Sequence, residues 1–331
     1  MIVLSEGAPK SDPILDIDGL RYVNAQGALF RFRLVIEFVR KFASKADILI
    51  DNADVAIPWL SPLFTKKPII TIVHQLVREV FYEELPNVIA SVGYFTEPAI
   101  YQLYSRATIV AMSNSTAEGL RQLGIPASRI RIIGPGCPYP AEDRIPLELR
   151  SRNLIGCVSR LMRYKGVQFA IKAVSELKKS FPDVRLQIAG SGPYEPELRN
   201  LAREFGVHSN VDFLGRVSEQ RKLELYRRSR AIVLSSIREG YGLSVIEANS
   251  FGTPAVGWNV PGLKDSILNN TTGRLAHFPD DLDLSKQIYS VMTDDVTWNC
   301  MSESAWQWAN SHSWDRSAER FEDLIGSTLG R

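Results

Sequence analysis

The chain has 331 residues, more than one hydrophobic core of about 250 to 300 residues usually supports, so two domains with a cleft between them are expected. Apolar residues make up 45% and charged residues 23%, a balance that excludes a disordered or fibrous chain. A formal net charge of +2 gives no global field to draw in nucleic acid. The three cysteines, Cys137, Cys157 and Cys300, are odd in number and lack metal-ligand spacing, which suits buried thiols in a reducing cytoplasm.

Met1 to Leu4 resembles the middle of a strand. No basic stretch followed by a long apolar run opens the sequence, and no window reaches the ~18 apolar residues of a membrane span. Few strands are read before Lys66, and no Gly-rich strand-to-helix turn is read near the start. A domain that begins earlier and a compact domain with fewer strands are both open. Phe30 to Lys45 mixes Arg31, Arg33, Arg40, Lys41 and Lys45 with Leu34, Val35, Phe38, Val39 and Phe42. Such a basic amphipathic helix either lies on anionic lipid or covers a sheet with one face solvated.

Short β-branched runs followed by helical periodicity mark the alternation of a parallel sheet with covering helices. In the first half the runs are Asp47 to Ile50, Pro68 to Val73, Thr108 to Met112 and Ile130 to Ile133. Ser113 to Thr116 is a cluster of N-cap residues, and Ala117 to Leu123 is the helix it starts. The proline-rich segment Gly134 to Pro146 has the composition of an interdomain hinge, although a long surface loop would look similar. The second half repeats the alternation, with strands at Leu154 to Val158, Val184 to Ala189, Val211 to Leu214, Ala231 to Leu234 and Pro254 to Trp258. Val167, Ala170, Ile171, Val174 and Leu177 recur at helical spacing. Ser313 can cap a last helix whose stripe is Ala318, Phe321, Leu324, Ile325 and Leu329. The division expected is 1–140, 150–312 and a closing helix at 313–331 that packs back toward the first domain.

Chemistry concentrates where strands end. Glu239, Gly240, Tyr241, Gly242, Leu243, Ser244 and Glu247 follow one strand and lead into a helix. Two glycines there let backbone approach a ligand, and the helix start points free N–H groups at an anion. Glu247, one turn in, could accept hydrogen bonds from a ribose diol, or both glutamates could be plain surface charges. Arg160 and Lys165 follow the strand Leu154 to Val158, where cations can neutralise a diphosphate; a solvated basic loop is the alternative. Gly190, and Arg216 with Val217, follow two more strands. Gly190, Gly192 and Glu195 do not complete a GxGxxG pattern, which argues against a nicotinamide dehydrogenase. His74 follows Pro68 to Val73 and could face the same cleft from the other side. Asp51 with Asp54, and Asp280 with Asp281 and Asp283, lack His or Cys at ligand spacing and read as solvated loops rather than metal sites. Ser113 sits in no nucleophile elbow, and N-capping accounts for it.

In this combination the sequence resembles the family-four glycosyltransferases of the GT-B fold. The residues that carry the likeness are the Arg160 to Gly166 pattern of Arg, four residues, Lys, Gly, together with the Gly190 turn, Phe213 to Val217, and Glu239 with Glu247 eight apart. Weaker similarity covers Lys67 to Glu79, Ser113 to Gly124 and Ile133 to Cys137. The resemblance implies two Rossmann-like domains facing across a cleft, with a truncated first domain as one option. Members of the family open with a strand and a Gly-rich loop near the donor phosphates, and neither is read before Met1. The usual Asn-Gly turn before the linker reads Pro135 and Gly136 here.

By that resemblance Arg160 and Lys165 hold the donor diphosphate, and Gly242, Leu243 and Ser244 add backbone N–H groups. Glu247 takes the ribose, Glu239 the sugar hydroxyls, and Arg216 and Val217 lie near the base. His74 contacts sugar or phosphate from the first domain. The activity implied is transfer of a hexose, with retention, from a UDP- or GDP-linked sugar to a carbohydrate or lipid-linked acceptor. No metal or other cofactor and no nucleic acid partner are expected. The workplace implied is the cytoplasm, with peripheral contact at the inner face of the membrane as an option. A non-catalytic or truncated nucleotide-sugar-binding module is the alternative, and a two-domain sugar-nucleotide epimerase ranks behind it.

Overall fold

The computed structural model describes residues 2–6, 14–17, 20–25, 41–42, 45–53, 60–139 and 143–330. Strands β1 (Ile2–Glu6), β2 (Ile14–Ile17) and β3 (Leu20–Ala25) form a small sheet in the order β1-β3-β2. In it β1 runs parallel and β2 antiparallel to β3. With β4 (Leu49–Ala53), four described strands precede Lys66, which corrects the reading of few strands there. Short segments of mixed polarity such as Ile14–Ile17 lack the apolar run that marks a buried strand, so pattern alone passes over them. The basic amphipathic segment from Phe30 to Lys45 falls outside the described residues, apart from 41–42 and 45.

A second sheet sets β4, β5 (Ile69–Val73), β6 (Thr108–Ala111) and β7 (Ile130–Ile132) side by side, all parallel. Helices α1 (Val80–Glu84), α2 (Asn87–Leu103) and α3 (Asn114–Gln122) follow its strands. Ser113 caps α3 by accepting from Thr116 N at 3.0 Å. One face of the sheet packs Val73, Ile109 and Ala111 against Leu76, Ala117 and Leu120.

The third sheet contains β8 (Ser151–Val158), β9 (Arg185–Ala189), β10 (Val211–Gly215), β11 (Ser229–Leu234), β12 (Ala255–Trp258) and β13 (Gly273–Ala276). Its order is β10-β9-β8-β11-β12-β13 and every pair is parallel. Counted from β8 this is the 3-2-1-4-5-6 order of a doubly wound nucleotide-binding sheet, whose direction reverses between β8 and β11. Helices α4 (Val167–Ser180), α5 (Glu195–Glu204), α6 (Glu219–Arg228), α7 (Leu243–Asn249) and α8 (Leu263–Ser266) connect its strands. Helices α9 (Asp281–Thr293) and α10 (Asp295–Asn310) follow the last one. All five residues of the helical stripe between β8 and β9 are buried, in one core with Ile155, Leu186 and Ile232. β13 carries Gly273 and Arg274 in a four-residue span, too short and too mixed to stand out in the sequence.

Arg150 fastens the start of β8. It is 5% exposed and donates to the carbonyls of Ile145, Tyr226, Ser229 and Phe251 and to Thr253 Oγ1. The closing helix α11 (Trp314–Thr328) is capped by Ser313. It lies on the second sheet, where Phe321, Leu324 and Ile325 pack with Ile70, Val110 and Ile133. Ser317 Oγ donates to Gly134 O at 2.8 Å and Arg320 to Ile132 O at 2.6 Å.

Several small expectations are corrected. Cys137 and Cys157 are buried but Cys300 is exposed. Asp51 is no loop charge: it lies in β4, 2% exposed, and accepts from Tyr104 Oη at 2.5 Å, while Asp54 is outside the described residues. Asp280 caps α9, Asp283 accepts from His277, and Asp281 pairs with Lys172. Among the described residues no helix is long and apolar enough to cross a membrane.

Candidate active site

The C-terminal ends of β8, β9, β10 and β11 meet at one edge of the third sheet, and their loops are tied to one another. Ser159 N donates to Ala189 O, Leu161 N to Ser191 O, and Gly190 N to Gly215 O. Ser244 Oγ donates to Val158 O at 3.1 Å, so the start of α7 is anchored on the tip of β8. These contacts require backbone against backbone. A Cβ on Gly166 would stand 1.8 Å from Ser235 O, and one on Gly190 would stand 1.8 Å from Ser159 O. Glycine is the one residue type that permits either approach.

Lys165 and Glu239, placed on the loops after β8 and β11, join across the reversal point at 2.6 Å, each side chain 12% exposed. Glu239 Oε1 also accepts from Ser236 Oγ at 2.7 Å, while among the described residues none donates to Oε2. Arg160 is exposed and donates to Tyr164 Oη at 2.8 Å. Gly242 caps α7 at φ 87°, and the first-turn N–H groups of Leu243 and Ser244 have no acceptor within the helix. Glu247 is held differently. Its Oε2 accepts from Tyr226 Oη at 2.7 Å and from Lys222 Nζ at 3.1 Å. Burial, and secondly the Glu247 carboxylate, push the Tyr226 phenol well above its ordinary range, so it stays a neutral donor. Arg216 is exposed, and Val217 packs with Val158, Ala189 and Leu225 beside the same strand ends.

The first half reaches this edge. A Cβ on Gly240 would stand 2.6 Å from His74 O, which puts the end of β5 directly against the Glu239 to Gly242 turn. His74 Nε2 and Asn52 Oδ1 are 2.8 Å apart. Glu97, buried in α2, shapes the stretch after His74 by accepting from Val77 N at 2.7 Å and Arg78 N at 3.1 Å. Burial holds its pKa above the ordinary carboxylate value, against the downward pull of those two N–H groups and the Arg78 guanidinium. Asp265 of α8 accepts from Gly262 N and, across the cleft, from Ser115 N at 3.2 Å. Tyr241 Oη and His312 Nε2 lie 2.6 Å apart, joining the turn to the end of α10.

Residues matched by the glycosyl transferases group 1 family model run from 140 to 308, which is the whole third sheet with its loops. The chain belongs to that family. Among its relatives is the D-inositol 3-phosphate glycosyltransferase of Corynebacterium aurimucosum, 27% identical over 69% of this chain and 59% of that protein. The protein of the same name from Corynebacterium kroppenstedtii is 32% identical over 62% of this chain and 48% of that protein. The chain thus spans about half to three fifths of the length of these relatives. In solved structures, sucrose-phosphate synthase from Thermosynechococcus elongatus superposes with a TM-score of 0.81 at 18% identity, covering 99% of this chain and 89% of that one. Anabaena HepE in complex with UDP and glucose gives a TM-score of 0.75 at 18% identity over 93% and 86%. These two likenesses are of fold, and the fold is GT-B: two Rossmann-like parallel sheets, here β4 to β7 and β8 to β13.

All the strand-end residues singled out in this family member's sequence gather at one edge, with His74 opposite. Sequence reasoning passed over Tyr164, Ser236, Asp265 and the glutamates of α1. Tyr164 lay inside the Arg160 to Gly166 pattern and was open to notice. The glutamates, some eighty residues away from the loops they meet, carried no signal. A hollow of about 250 Å³ lined by Asn270, Thr271, Val296, Thr297, Cys300, Met301 and Ser304 lies by the N-terminal end of β13, at the opposite edge of the sheet.

Proposed function

We propose that this chain is a retaining glycosyltransferase that moves a hexose from a UDP- or GDP-linked donor to a carbohydrate or lipid-linked acceptor. The observation that carries the reading is the joining of the β8 and β11 loops at the reversal point of a doubly wound sheet. Lys165, Glu239 and the free N–H groups of α7 stand there together, with His74 against them from the first half. The relatives named for sugar transfer, and the fold-mate solved with UDP and glucose, favour the same class.

Breaking a bond from a sugar to a diphosphate builds negative charge on the leaving oxygens. Fixed cations and oriented N–H groups at that point lower the barrier, each worth about 3 kcal/mol in the transition state. Arg160 and Lys165 supply the charge that a divalent metal supplies elsewhere. Glu239 keeps Lys165 in place through Oε1 and offers Oε2 to sugar hydroxyls. Glu247, steadied by Tyr226 and Lys222, takes the ribose, and Val217 with Arg216 flanks the base. The family resemblance implies that the acceptor attacks from the face the diphosphate leaves, and that the departing phosphate takes its proton. The hinge at Gly134 to Pro146 lets the halves part to admit the donor. The cytoplasm, where nucleotide sugars are available, is the compartment this implies.

Donor binding and turnover in Arg160→Ala and Glu239→Ala test the reading. Each is expected to lose about a hundredfold or more in transfer, with wild-type turnover insensitive to a metal chelator. Near-normal transfer by both variants would overturn it.

A further inference from the structure

Three glutamates on one stretch of the first half meet the two loops that carry the donor cations. Glu84 Oε1 accepts from the backbone N–H of Tyr164 at 2.9 Å. Glu83 pairs with Arg163 at 3.0 Å and Glu79 with Arg238 at 2.6 Å. Tyr164 and Arg163 lie between Arg160 and Lys165, and Arg238 precedes Glu239. The two ion pairs are partly exposed, with side-chain accessibilities of 61% and 34%, and of 15% and 58%, so each contributes little alone. The Glu84 bond is different, because a carboxylate accepting from a part-buried N–H is a charge-assisted bond.

Tyr164 is 6% exposed, and its groups point in four directions. Its N–H goes to Glu84, and its carbonyl accepts from Ile237 N at 3.0 Å on the loop that leads to Glu239. Its hydroxyl accepts from Arg160 Nη2 at 2.8 Å. Its ring lies 4.9 Å from Lys165 Nζ. The residue therefore touches both cations, the neighbouring loop and the opposite half. We infer that Glu84 and Tyr164 are positioning residues: with the cleft closed, Glu84 fixes the Tyr164 backbone, and Tyr164 sets Arg160 and Lys165 for a diphosphate. The ligand part of this rests on the donor reading above. When the halves part, the Tyr164 N–H loses its acceptor and the short turn Arg163–Lys165 is free to relax. Cation geometry is then coupled to closure.

The test uses the full chain with two readouts, amide exchange over residues 160–166 and 237–243, and calorimetric binding of UDP and of GDP. Glu84→Ala is expected to speed exchange at Tyr164 by about tenfold and to weaken nucleotide binding by a similar factor, the loss of one charge-assisted bond. Glu84→Gln, which keeps a carbonyl acceptor, restores most of both. Tyr164→Phe keeps the ring and both backbone bonds. It should weaken nucleotide binding several-fold while exchange at the Tyr164 amide stays as in wild type, a split that a merely structural role would not produce. Unchanged exchange in Glu84→Ala, or unchanged affinity in Tyr164→Phe when wild type binds, overturns the inference. If wild type binds neither UDP nor GDP, the donor reading fails, and exchange in Glu84→Ala alone decides whether Glu84 sets the loop.

Discussion

The two halves bring their elements together by different means. In the second half, the tight approaches at the strand ends are between backbones, as where Gly166 faces Ser235 O and Gly190 faces Ser159 O. Inside two helices of the first half the nearest atoms are side chains: Gly119 faces the end of Leu76, and Gly93 the ring of Phe81. The second half scatters its most exposed apolar residues, Leu149, Leu282 and Val296, over three separate segments. The first leaves Val88, Ile89, Val92 and Phe95 of α2 exposed, at 78%, 56%, 60% and 74%. For the diphosphate of the proposed donor, main chain offers a rigid cradle.

The sharpest break of this comparison is a pair of alanines. Gly166→Ala places a Cβ 1.8 Å from a carbonyl at φ 70° and should destabilise by more than about 3 kcal/mol. Gly119→Ala meets only a leucine methyl inside a helix and should stay within about 1 kcal/mol of wild type. Urea unfolding of the two variants measures this, and equal losses would erase the distinction between the halves. Next comes Arg150→Met. It removes one donor each from the carbonyls of Tyr226, Ser229 and Phe251, of which Tyr226 keeps Thr253 Oγ1 and Phe251 keeps Ile145 N, for a loss of about 3 kcal/mol. The second half should open first in that variant, as reported by amide exchange in β8 and β11 against β5 and β6.

The smallest effect sits at the seam. Burial, with help from Arg316, lowers the His312 pKa below its ordinary 6.5, against a pull upward from the Trp308 carbonyl. The neutral ring can then donate from Nδ1 to Trp308 O and accept from Tyr241 at Nε2. Unfolded His312 binds a proton near its ordinary value and the folded form resists it. Stability is therefore whole above about pH 6.5 and declines as the pH falls below that value. Thermal unfolding at pH 8 and pH 5.5 should show a smaller acid loss in His312→Asn than in wild type. An equal loss in both would remove His312 from the account.

Most of the strand-end cluster was legible because its placement is written in residue type. Glycines that admit backbone, cations after a strand and N-cap residues before a helix all have local causes, and Ser113, Ser313 and the buried stripe of α4 follow the same logic. Asp51 and Glu97 were hidden for the opposite reason. Each is a carboxylate whose partner, Tyr104 or the Val77 and Arg78 amides, lies some twenty to fifty residues away, so no local pattern distinguishes it from a surface charge.

Alternation of short apolar runs with helical periodicity was enough to set the parallel α/β character of this protein and the edge at which its strand-end loops gather, since both depend on repeats along the chain. Strand order was another matter. Placing β8 beside β11, and Glu84 beside Tyr164, depends on which surfaces bury each other, and that is settled only when the whole chain packs.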